Sequence, residues 1–354
     1  YVLQYMKTKF LFLTQKKYTM TMTTKIEDYW KDFEINDALK TGVVLKRFSP
    51  DIMPDCFVAM RMPEKVKSIA FRLSKTNVDV SALNDLKDIT TETLPDETQP
   101  DKMLLLICLV DNSLSSIFAV LCEDLFNSVS DVRKEKELVK SLQNRFLKWK
   151  ELFELARSPG LSPEKQIGLF GELFLLKELF VETGNFAECL NIWVGPDTGI
   201  RDFEKNNNAI EVKTTQTHNH QKIKISSERQ LDTTLLENLF LFHLSLEKRN
   251  GNENSLNKIV SELFSIIDDN KLLSNVLKRK LISVGYFKHH ESCYENISYL
   301  IRGEDFYKVT EHFPRIEEKD LMKGVGDVKY SIVLTAETEK HKTSFSNVIE
   351  KFKL

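Results

Sequence analysis

The chain has 354 residues, of which 42% are hydrophobic and 29% charged, and its formal net charge is −2 at pH 7. This length predicts about two domains with packed cores, and the balanced charge excludes a strongly basic field, so any nucleic-acid surface would be a local patch. Five cysteines without a C-x-x-C pair argue against a disulfide scaffold or a zinc site, and no run approaches the roughly 18 apolar residues of a membrane span, so we expect a cytoplasmic protein.

The first part of the chain predicts a leader followed by a β-rich module. Residues 1–24 begin with Tyr and lack a signal-peptide core, so we expect a disordered leader, with Met20 or Met22 as the native start. Between residues 25 and 157, polar loops separate strand-like runs, and a linker rich in Thr, Glu, Pro and Asp is predicted at 90–101. The predicted strands are 42–48, 56–62, 68–74, 102–110 and 115–126, and a helix over 131–157 ends the module.

Several features of the sequence predict a helix over residues 162–180. Ser162 can cap its first turn, and apolar residues recur at helical spacing. Glu172 lies at the edge of this apolar stripe, where an unpaired carboxylate is costly, so it needs a partner; the alternative is a partly exposed side chain. Gly168 and Gly171 cost about 1 kcal/mol each in a helix interior and indicate a close approach to another element.

The segment 209–215, AIEVKTT, alternates apolar and polar residues and predicts a strand with Glu211 and Lys213 on one face. The preceding Asn-Asn pair at 206–207 tolerates the positive φ of a tight turn, so the segment reads as the second strand of a β-hairpin. A hairpin that turns there places Asp202 opposite Glu211, with the two carboxylates roughly 5 Å apart. The alternative is an ordinary solvated hairpin with cross-strand charges.

A pair of facing carboxylates implies a cation, because a fold retains such a pair only if something offsets the repulsion. A hard divalent ion with oxygen ligands is the usual answer, and Mg²⁺ fits best, with Mn²⁺ as a substitute. The predicted ligands are Asp202, Glu211 and the main-chain carbonyl of Val212, while Glu172 would bind a second ion or orient the first. The Lys213 ammonium would stand beside the metal, where it can position or help deprotonate a water and stabilise charge on a phosphate.

A polar corner follows the hairpin. Residues 222–226 alternate again and predict a strand with both lysines on one face, and Gln230 would contact the edge of the catalytic site. The alternative is a basic face that only keeps an edge strand soluble. An apolar run at 239–247 predicts a strand buried on both faces, which completes a core spanning 158–249. The residues predicted to hold the phosphodiester backbone of DNA are Lys222, Lys224, Ser226 and Arg229.

Residues 250–354 are predicted to form an α/β extension that packs on the core. Asp327 and Lys329 repeat the acid-x-Lys form ahead of an apolar strand, but they lack the acid-bearing helix and the polar corner, so we rank them below the hairpin. The predicted elements are helices at 254–268 and 271–281 and strands at 295–302 and 328–335. The histidines interpreted as exposed loop residues are His218, His220, His289 and His290.

With these motifs in place, the chain resembles the PD-(D/E)XK nuclease superfamily, and within it a prokaryotic family known mainly from restriction and phage-defence gene clusters. The motifs that carry the resemblance are WVGPD at 193–197, Asp202 with Phe203, EVKTT at 211–215 and ISSERQL at 225–231. Flanking similarity at 118–126, 146–154, 313–316 and 324–334 extends it to roughly residues 25–335.

The resemblance implies an α/β (α+β) fold with a restriction-endonuclease-like core, in which a mixed sheet is flanked by helices. The implied metal-binding and catalytic residues are Glu172, Asp202, Glu211 and Lys213. One feature departs from the superfamily pattern, because Arg201 rather than a proline precedes Asp202, and the literal Pro-Asp ends at Asp197. Asp197 is therefore a rival metal ligand, but we prefer Asp202 because the hairpin register places it opposite Glu211.

These patterns predict a Mg²⁺-dependent DNA endonuclease of a restriction-modification or phage-defence system. Such an enzyme must be restrained in its cell, so we expect a partner subunit or a DNA modification to license cutting, and a dimer is compatible with the sequence. The alternative is a non-catalytic subunit that keeps the fold to bind DNA or a partner. The intact set of two acids and a lysine argues against a loss of catalysis.

Overall fold

The computed structural model describes residues 26–35, 41–52, 54–75, 87–197, 199–216, 222–267 and 270–354. The chain divides into two compact units, residues 1–147 and 148–354. The predicted leader, His218 and His220 lie outside the described residues. Among the described residues, no helix combines the length and the apolar character needed to cross a membrane.

The first unit contains a five-stranded antiparallel sheet. Its elements are helix α1 (Ile26–Ile35), strands β1 (Gly42–Arg47), β2 (Cys56–Met62), β3 (Val66–Ser74), β4 (Ile89–Pro95) and β5 (Lys102–Leu109), and helix α2 (Ser115–Ser128). The strand order is β1-β2-β3-β5-β4. Trp30 of α1 is buried and donates its indole N–H to the carbonyls of Ala59 and Ser68 at 3.0 and 3.1 Å. These bonds fasten α1 to the neighbouring strands β2 and β3.

Two expectations for this unit are wrong. Residues 115–126 form α2 rather than a strand, because the run is long enough for three helical turns and its apolar residues recur four apart. The predicted linker at 90–101 begins with β4, which pairs with β5 along its whole length, since its β-branched threonines suit a half-exposed edge strand. The buried residues of α2 that recur at helical spacing are Ile117, Phe118, Leu121, Cys122, Leu125 and Phe126.

The second unit contains a five-stranded mixed sheet flanked by helices, as predicted. Helix α3 (Glu135–Arg157) crosses the division, and α4 (Pro163–Thr183), α5 (Phe186–Ile192), β6 (Phe203–Lys205), β7 (Asn208–Thr215), β8 (Lys222–Ile225) and β9 (Asn238–Asn250) follow. The later elements are α6 (Leu256–Ile267), α7 (Lys271–Ser283), β10 (Ile297–Lys308), β11 (Tyr330–Val333), α8 (Ala336–Glu339), β12 (Lys342–Thr343) and α9 (Phe345–Phe352). The strand order is β12-β10-β9-β7-β6, with β7 parallel to β9 and the other pairs antiparallel.

Helix α4 packs closely on the sheet. The Ser162 side chain accepts a hydrogen bond from the Lys165 N–H and caps the helix, as predicted. A Cβ built on Gly171 would meet the Thr214 hydroxyl and lie 3.3 Å from Val212 Cγ1, so the absence of a side chain at Gly171 favours this close approach of α4 to β7. Nothing lies within 4 Å of a Cβ built on Gly168, so the expected close approach is correct for one of the two glycines.

The register of the predicted hairpin is confirmed. Phe203 pairs with Ile210 and Lys205 pairs with Asn208, while Asn206 adopts the positive φ of 53° that the turn requires. Strand β9 runs beside β7 as the buried apolar strand expected from its sequence. The hairpin therefore presents its acidic end at the edge of the sheet.

Strand β8 forms where it was predicted but does not join the five-stranded sheet. It pairs with β11 in a separate two-stranded ribbon, in which Lys224 lies opposite Ser331. Ile223 and Ile225 are buried, whereas Lys222 and Lys224 are exposed. Both lysines therefore point away from the protein interior.

The C-terminal residues contribute two strands to the sheet of the second unit. β10 pairs with β9 from Ile297 to Lys308, and β12 extends the sheet beyond β10. The prediction for His290 is wrong, because this residue is buried and its ring packs against those of Phe287 and His289 in a short 3₁₀ turn.

Candidate active site

Glu211 and Lys213 project from the same face of β7, two residues apart. Glu211 is 1% exposed, and its Oε1 lies 2.6 Å from Lys213 Nζ. Its second oxygen, Oε2, is buried and has no hydrogen-bond partner among the described residues. A buried carboxylate oxygen without a donor is costly, so this atom is available to a ligand.

Asp202 immediately precedes β6 and lies beside β7. Its Oδ2 accepts a hydrogen bond from the main-chain N–H of Val212 at 2.7 Å. Its main-chain carbonyl accepts from the N–H groups of Val194 and Gly195 at 2.8 and 2.9 Å. The N–H and C=O of one strand residue point to the same edge, so the Val212 carbonyl faces the Asp202 side of β7, as its predicted role as a ligand requires.

Glu172 reaches the same region from α4. Its Oε2 accepts a hydrogen bond from the indole N–H of Trp193 at 2.8 Å, so its donor is not a lysine or an arginine. A Cβ built on Gly195 would lie 2.9 Å from Glu172 Oε2 and 3.1 Å from Asp202 Oδ1. The carboxylates of Glu172 and Asp202 therefore converge on one small space, which Gly195 leaves open.

The surroundings of Glu172, Asp202 and Glu211 disfavour the charged forms of their carboxyl groups. Burial raises the pKa of Glu211 to about 8, and the Asp202 charge adds to this while Lys213 opposes it. Burial, followed by the Asp202 charge, holds the pKa of Glu172 well above its usual value. Burial also raises the pKa of Asp202, although the Val212 N–H and Lys213 favour its charged form. A cation among these groups would favour their charged forms and so oppose the burial that raises all three pKa values and the repulsion that adds to it for Glu172 and Glu211.

These observations fit a divalent cation. The buried, unpartnered Oε2 of Glu211 and the carboxylate oxygens of the half-buried Glu172 and Asp202 beside Gly195 are of the type that Mg²⁺ and Mn²⁺ prefer. Among the described residues, no three His, Cys, Asp or Glu side chains stand together as a complete metal cage. Trp193, the Val212 N–H and Lys213 each hold one carboxylate instead.

Gln230 restrains the lysine. Its Oε1 accepts hydrogen bonds from Lys213 Nζ at 3.1 Å and from the Ser226 N–H at 2.9 Å. Gln230 lies in the 3₁₀ turn Glu228–Leu231 that follows β8. The polar corner predicted to contact the edge of the site thus lies within hydrogen-bond distance of the predicted catalytic lysine.

A family model described as "Putative PD-(D/E)XK family member, (DUF4420)" matches residues 26–335. The chain belongs to this family. The match confirms the resemblance inferred from the sequence motifs, and the mixed sheet with flanking helices agrees with a restriction-endonuclease-like fold. No curated protein and no solved structure matches the chain.

In this PD-(D/E)XK family member, the residues predicted to bind DNA lie on β8 and in the segment that follows it. Lys222 and Lys224 are exposed on β8, and the Ser226 N–H contacts Gln230. The Arg229 side chain is 56% exposed, and its Nε lies 3.8 Å from a carboxylate oxygen of Glu228. Within the described residues, Gln230 is the hydrogen-bonded link between this segment and Lys213.

The literal Pro-Asp of this PD-(D/E)XK chain lies in a different set of contacts. Asp197 Oδ2 lies 2.6 Å from Lys280 Nζ of α7, whereas Asp202 lies beside Val212 and the Glu172 carboxylate. The structure also reveals contacts that the sequence analysis missed, namely the Trp193 bond to Glu172 and the bonds from Arg201 to the carbonyls of Arg229 and Gln230. Nothing in the sequence spacing of Trp193 indicates a carboxylate partner.

Proposed function

We propose that this protein is a Mg²⁺-dependent endonuclease that hydrolyses phosphodiester bonds in DNA. The observation that carries the proposal is the acidic site itself, in which the Glu172 and Asp202 carboxylates converge beside Gly195 and Glu211 lies against Lys213 with one oxygen unpartnered among the described residues. Carboxylates gathered in a largely buried site are costly for a fold and are retained where a bound cation offsets their charge. Membership in the PD-(D/E)XK family supports the same chemistry.

Each residue of the site would have a separate role in the reaction. Asp202, Glu211 and the Val212 carbonyl would hold the ion, and Glu172 would orient it or bind a second one. When bound, Mg²⁺ supplies a water of lowered pKa and neutralises charge on the scissile phosphate. Lys213 would orient that water and stabilise the charge that develops on the phosphate. The hydrogen bond to Gln230 would keep the Lys213 ammonium in place.

DNA would approach along the exposed lysines of β8. Lys222 and Lys224 project from the ribbon that leads into the Gln230 turn, so phosphates bound there would be adjacent to Lys213. Ser226 and Arg229 would add further contacts to the same backbone. The near-zero net charge of the chain makes such a local patch necessary for DNA binding.

We place this activity in a cytoplasmic restriction or phage-defence system, in which a partner subunit or a DNA modification licenses cutting. The familial motifs support this role. One observation favours the alternative of a non-catalytic DNA-binding or partner-binding subunit: each of the three carboxylates already has a protein donor.

Incubation of duplex DNA, single-stranded DNA and RNA of one sequence with the purified protein and Mg²⁺ separates these accounts, because only a deoxyribonuclease cuts DNA and spares RNA.

Replacement of both Lys222 and Lys224 by Ala is expected to weaken DNA binding with little change in the cleavage rate of bound DNA. Each lost phosphate contact removes about one released counterion, so the slope of log K against log salt should fall by about 2. Fluorescence anisotropy over a salt series measures this slope. The matched control replaces the exposed lysines Lys258 and Lys271, and an equal loss of slope in that control would contradict the assignment.

Substitution of Gly195 by Ala is expected to weaken Mn²⁺ binding by about 10-fold or more, because the new methyl group would occupy the space between Glu172 and Asp202. Calorimetric titration with Mn²⁺ measures the change. Gly168→Ala is the matched control, since its Cβ meets nothing within 4 Å. The control should bind Mn²⁺ as the wild type does and gain up to about 1 kcal/mol of stability. If the Gly195 variant binds Mn²⁺ with wild-type affinity, the cation does not bind in this space.

A further inference from the structure

The segment 193–197, here called the strap, joins α5 to the acidic end of the hairpin. Trp193 is fully buried and forms an isolated β-bridge with Phe203. The strap contacts two of the three acids, because the Trp193 indole N–H bonds Glu172 and the N–H groups of Val194 and Gly195 bond the Asp202 carbonyl. One short segment therefore contacts both an acid on a helix and the acid that immediately precedes β6.

Lys280 of α7 holds the strap from the other side. It is 8% exposed, and its Nζ donates to the Trp193 carbonyl at 2.5 Å and to Asp197 Oδ2 at 2.6 Å. The ammonium also lies 5.9 Å from the centre of the Trp193 ring. Burial of a lysine is costly, and these contacts to both ends of the strap offset the cost.

We propose that Trp193 and Lys280 are positioning residues of the acidic site: Lys280 fixes the strap, and the strap's indole N–H holds Glu172 beside Asp202. Neither residue touches DNA or the reacting phosphate in this account. The inference rests on the proposed function, since the geometry of the acids matters to the extent that they hold a cation. Hydrogen-bond partners that orient metal ligands typically change metal affinity by about 10- to 100-fold when removed.

The first test measures Mn²⁺ affinity by calorimetry in Trp193→Phe, Lys280→Met and the double variant. Each single variant is expected to bind Mn²⁺ about 10-fold more weakly than the wild type. If Lys280 acts through Trp193, the double variant should be no weaker than Trp193→Phe alone, which is the non-additive result of two residues in one chain of contacts. Additive losses, or wild-type affinity in either single variant, would overturn the inference.

Matched controls separate positioning from general damage to the fold. Trp30→Phe removes an indole N–H that bonds two main-chain carbonyls in the first unit, so it should lower stability without changing Mn²⁺ affinity. Arg279→Met removes a charge from the exposed residue next to Lys280 and should leave Mn²⁺ affinity unchanged. Weakened Mn²⁺ binding in either control would overturn the assignment of the effect to the strap.

A second readout needs no metal and covers the case in which Lys280→Met does not fold. In protein labelled with ¹⁵N-tryptophan, the Trp193 indole resonance is identified by its loss in Trp193→Phe. Glu172→Gln and the conservative Lys280→Arg are expected to shift this resonance and to leave that of Trp30 in place; an unmoved Trp193 resonance in both variants overturns the inference. Wild-type protein that fails to bind Mn²⁺ contradicts the proposed function instead, and the indole shift then still decides whether the strap couples Lys280 to Glu172.

Discussion

Lys213→Ala is expected to lower the rate of DNA cleavage by about 10²-fold or more while DNA affinity changes little. The substitution removes the ammonium that lies 2.6 Å from Glu211 and 3.1 Å from Gln230, but it leaves all three carboxylates in place. The charge is needed in the transition state, where negative charge builds on the phosphate. Single-turnover cleavage at saturating protein measures the chemical step, and anisotropy measures binding.

Lys213→Met tests whether charge or packing causes the loss, because methionine keeps most of the apolar stem of the lysine. It should be as inactive as the alanine variant. The Lys222→Ala, Lys224→Ala double variant provides the opposite pattern, with weaker binding and preserved cleavage of bound DNA. If loss of Lys213 changes binding and leaves single-turnover cleavage intact, Lys213 is a phosphate-binding residue and not a catalytic one.

Asp202→Asn is expected to reduce cleavage by about 10³-fold or more and to leave the metal-free protein as stable as the wild type, or more stable. Asparagine can still accept the hydrogen bond from the Val212 N–H, but it removes a charge that repels both Glu172 and Glu211. The same change removes a predicted oxygen ligand of the cation. Loss of function together with retained or increased stability is the pattern of a residue kept for chemistry rather than for folding.

Thermal unfolding without divalent ions, with cleavage assays in parallel, measures both effects. Glu237→Gln is the control, since it removes one negative charge from an exposed residue of the same unit and should change neither quantity. A large loss of stability in Asp202→Asn without a selective loss of cleavage would make Asp202 a structural residue. Its carboxylate would then serve mainly to accept the hydrogen bond from the Val212 N–H.

Local patterns were sufficient to predict the hairpin and the acid-bearing helix. The alternation around Glu211 and the Asn-Asn turn determine the register, and Asn206 adopts the positive φ that this turn needs. The capped helix and Gly171 place Glu172 near the sheet, because a residue without a side chain favours the close contact with Thr214. These features depend on residues close together in the sequence, where backbone sterics and side-chain period act directly.

Contacts between distant residues were not predictable in the same way. The apolar run that forms α2 satisfies both a strand and a helix pattern, and β4 depends on its partner β5 for its conformation. β8 shows the period of a strand, but that period does not reveal that its partner is β11, more than a hundred residues later. The link from Lys280 to Trp193 and on to Glu172 joins three elements, and only the folded chain brings them together.

The most direct test of the account is cleavage of supercoiled plasmid DNA by the purified wild-type protein and by Asp202→Asn, each with Mg²⁺ and with a chelator. We predict that the wild type nicks or linearises the plasmid with Mg²⁺, that the chelator prevents cleavage, and that Asp202→Asn is inactive in both conditions. Wild-type protein that binds the plasmid but leaves it intact in Mg²⁺ and in Mn²⁺, with candidate partners present, would contradict the account and favour a non-catalytic DNA-binding subunit.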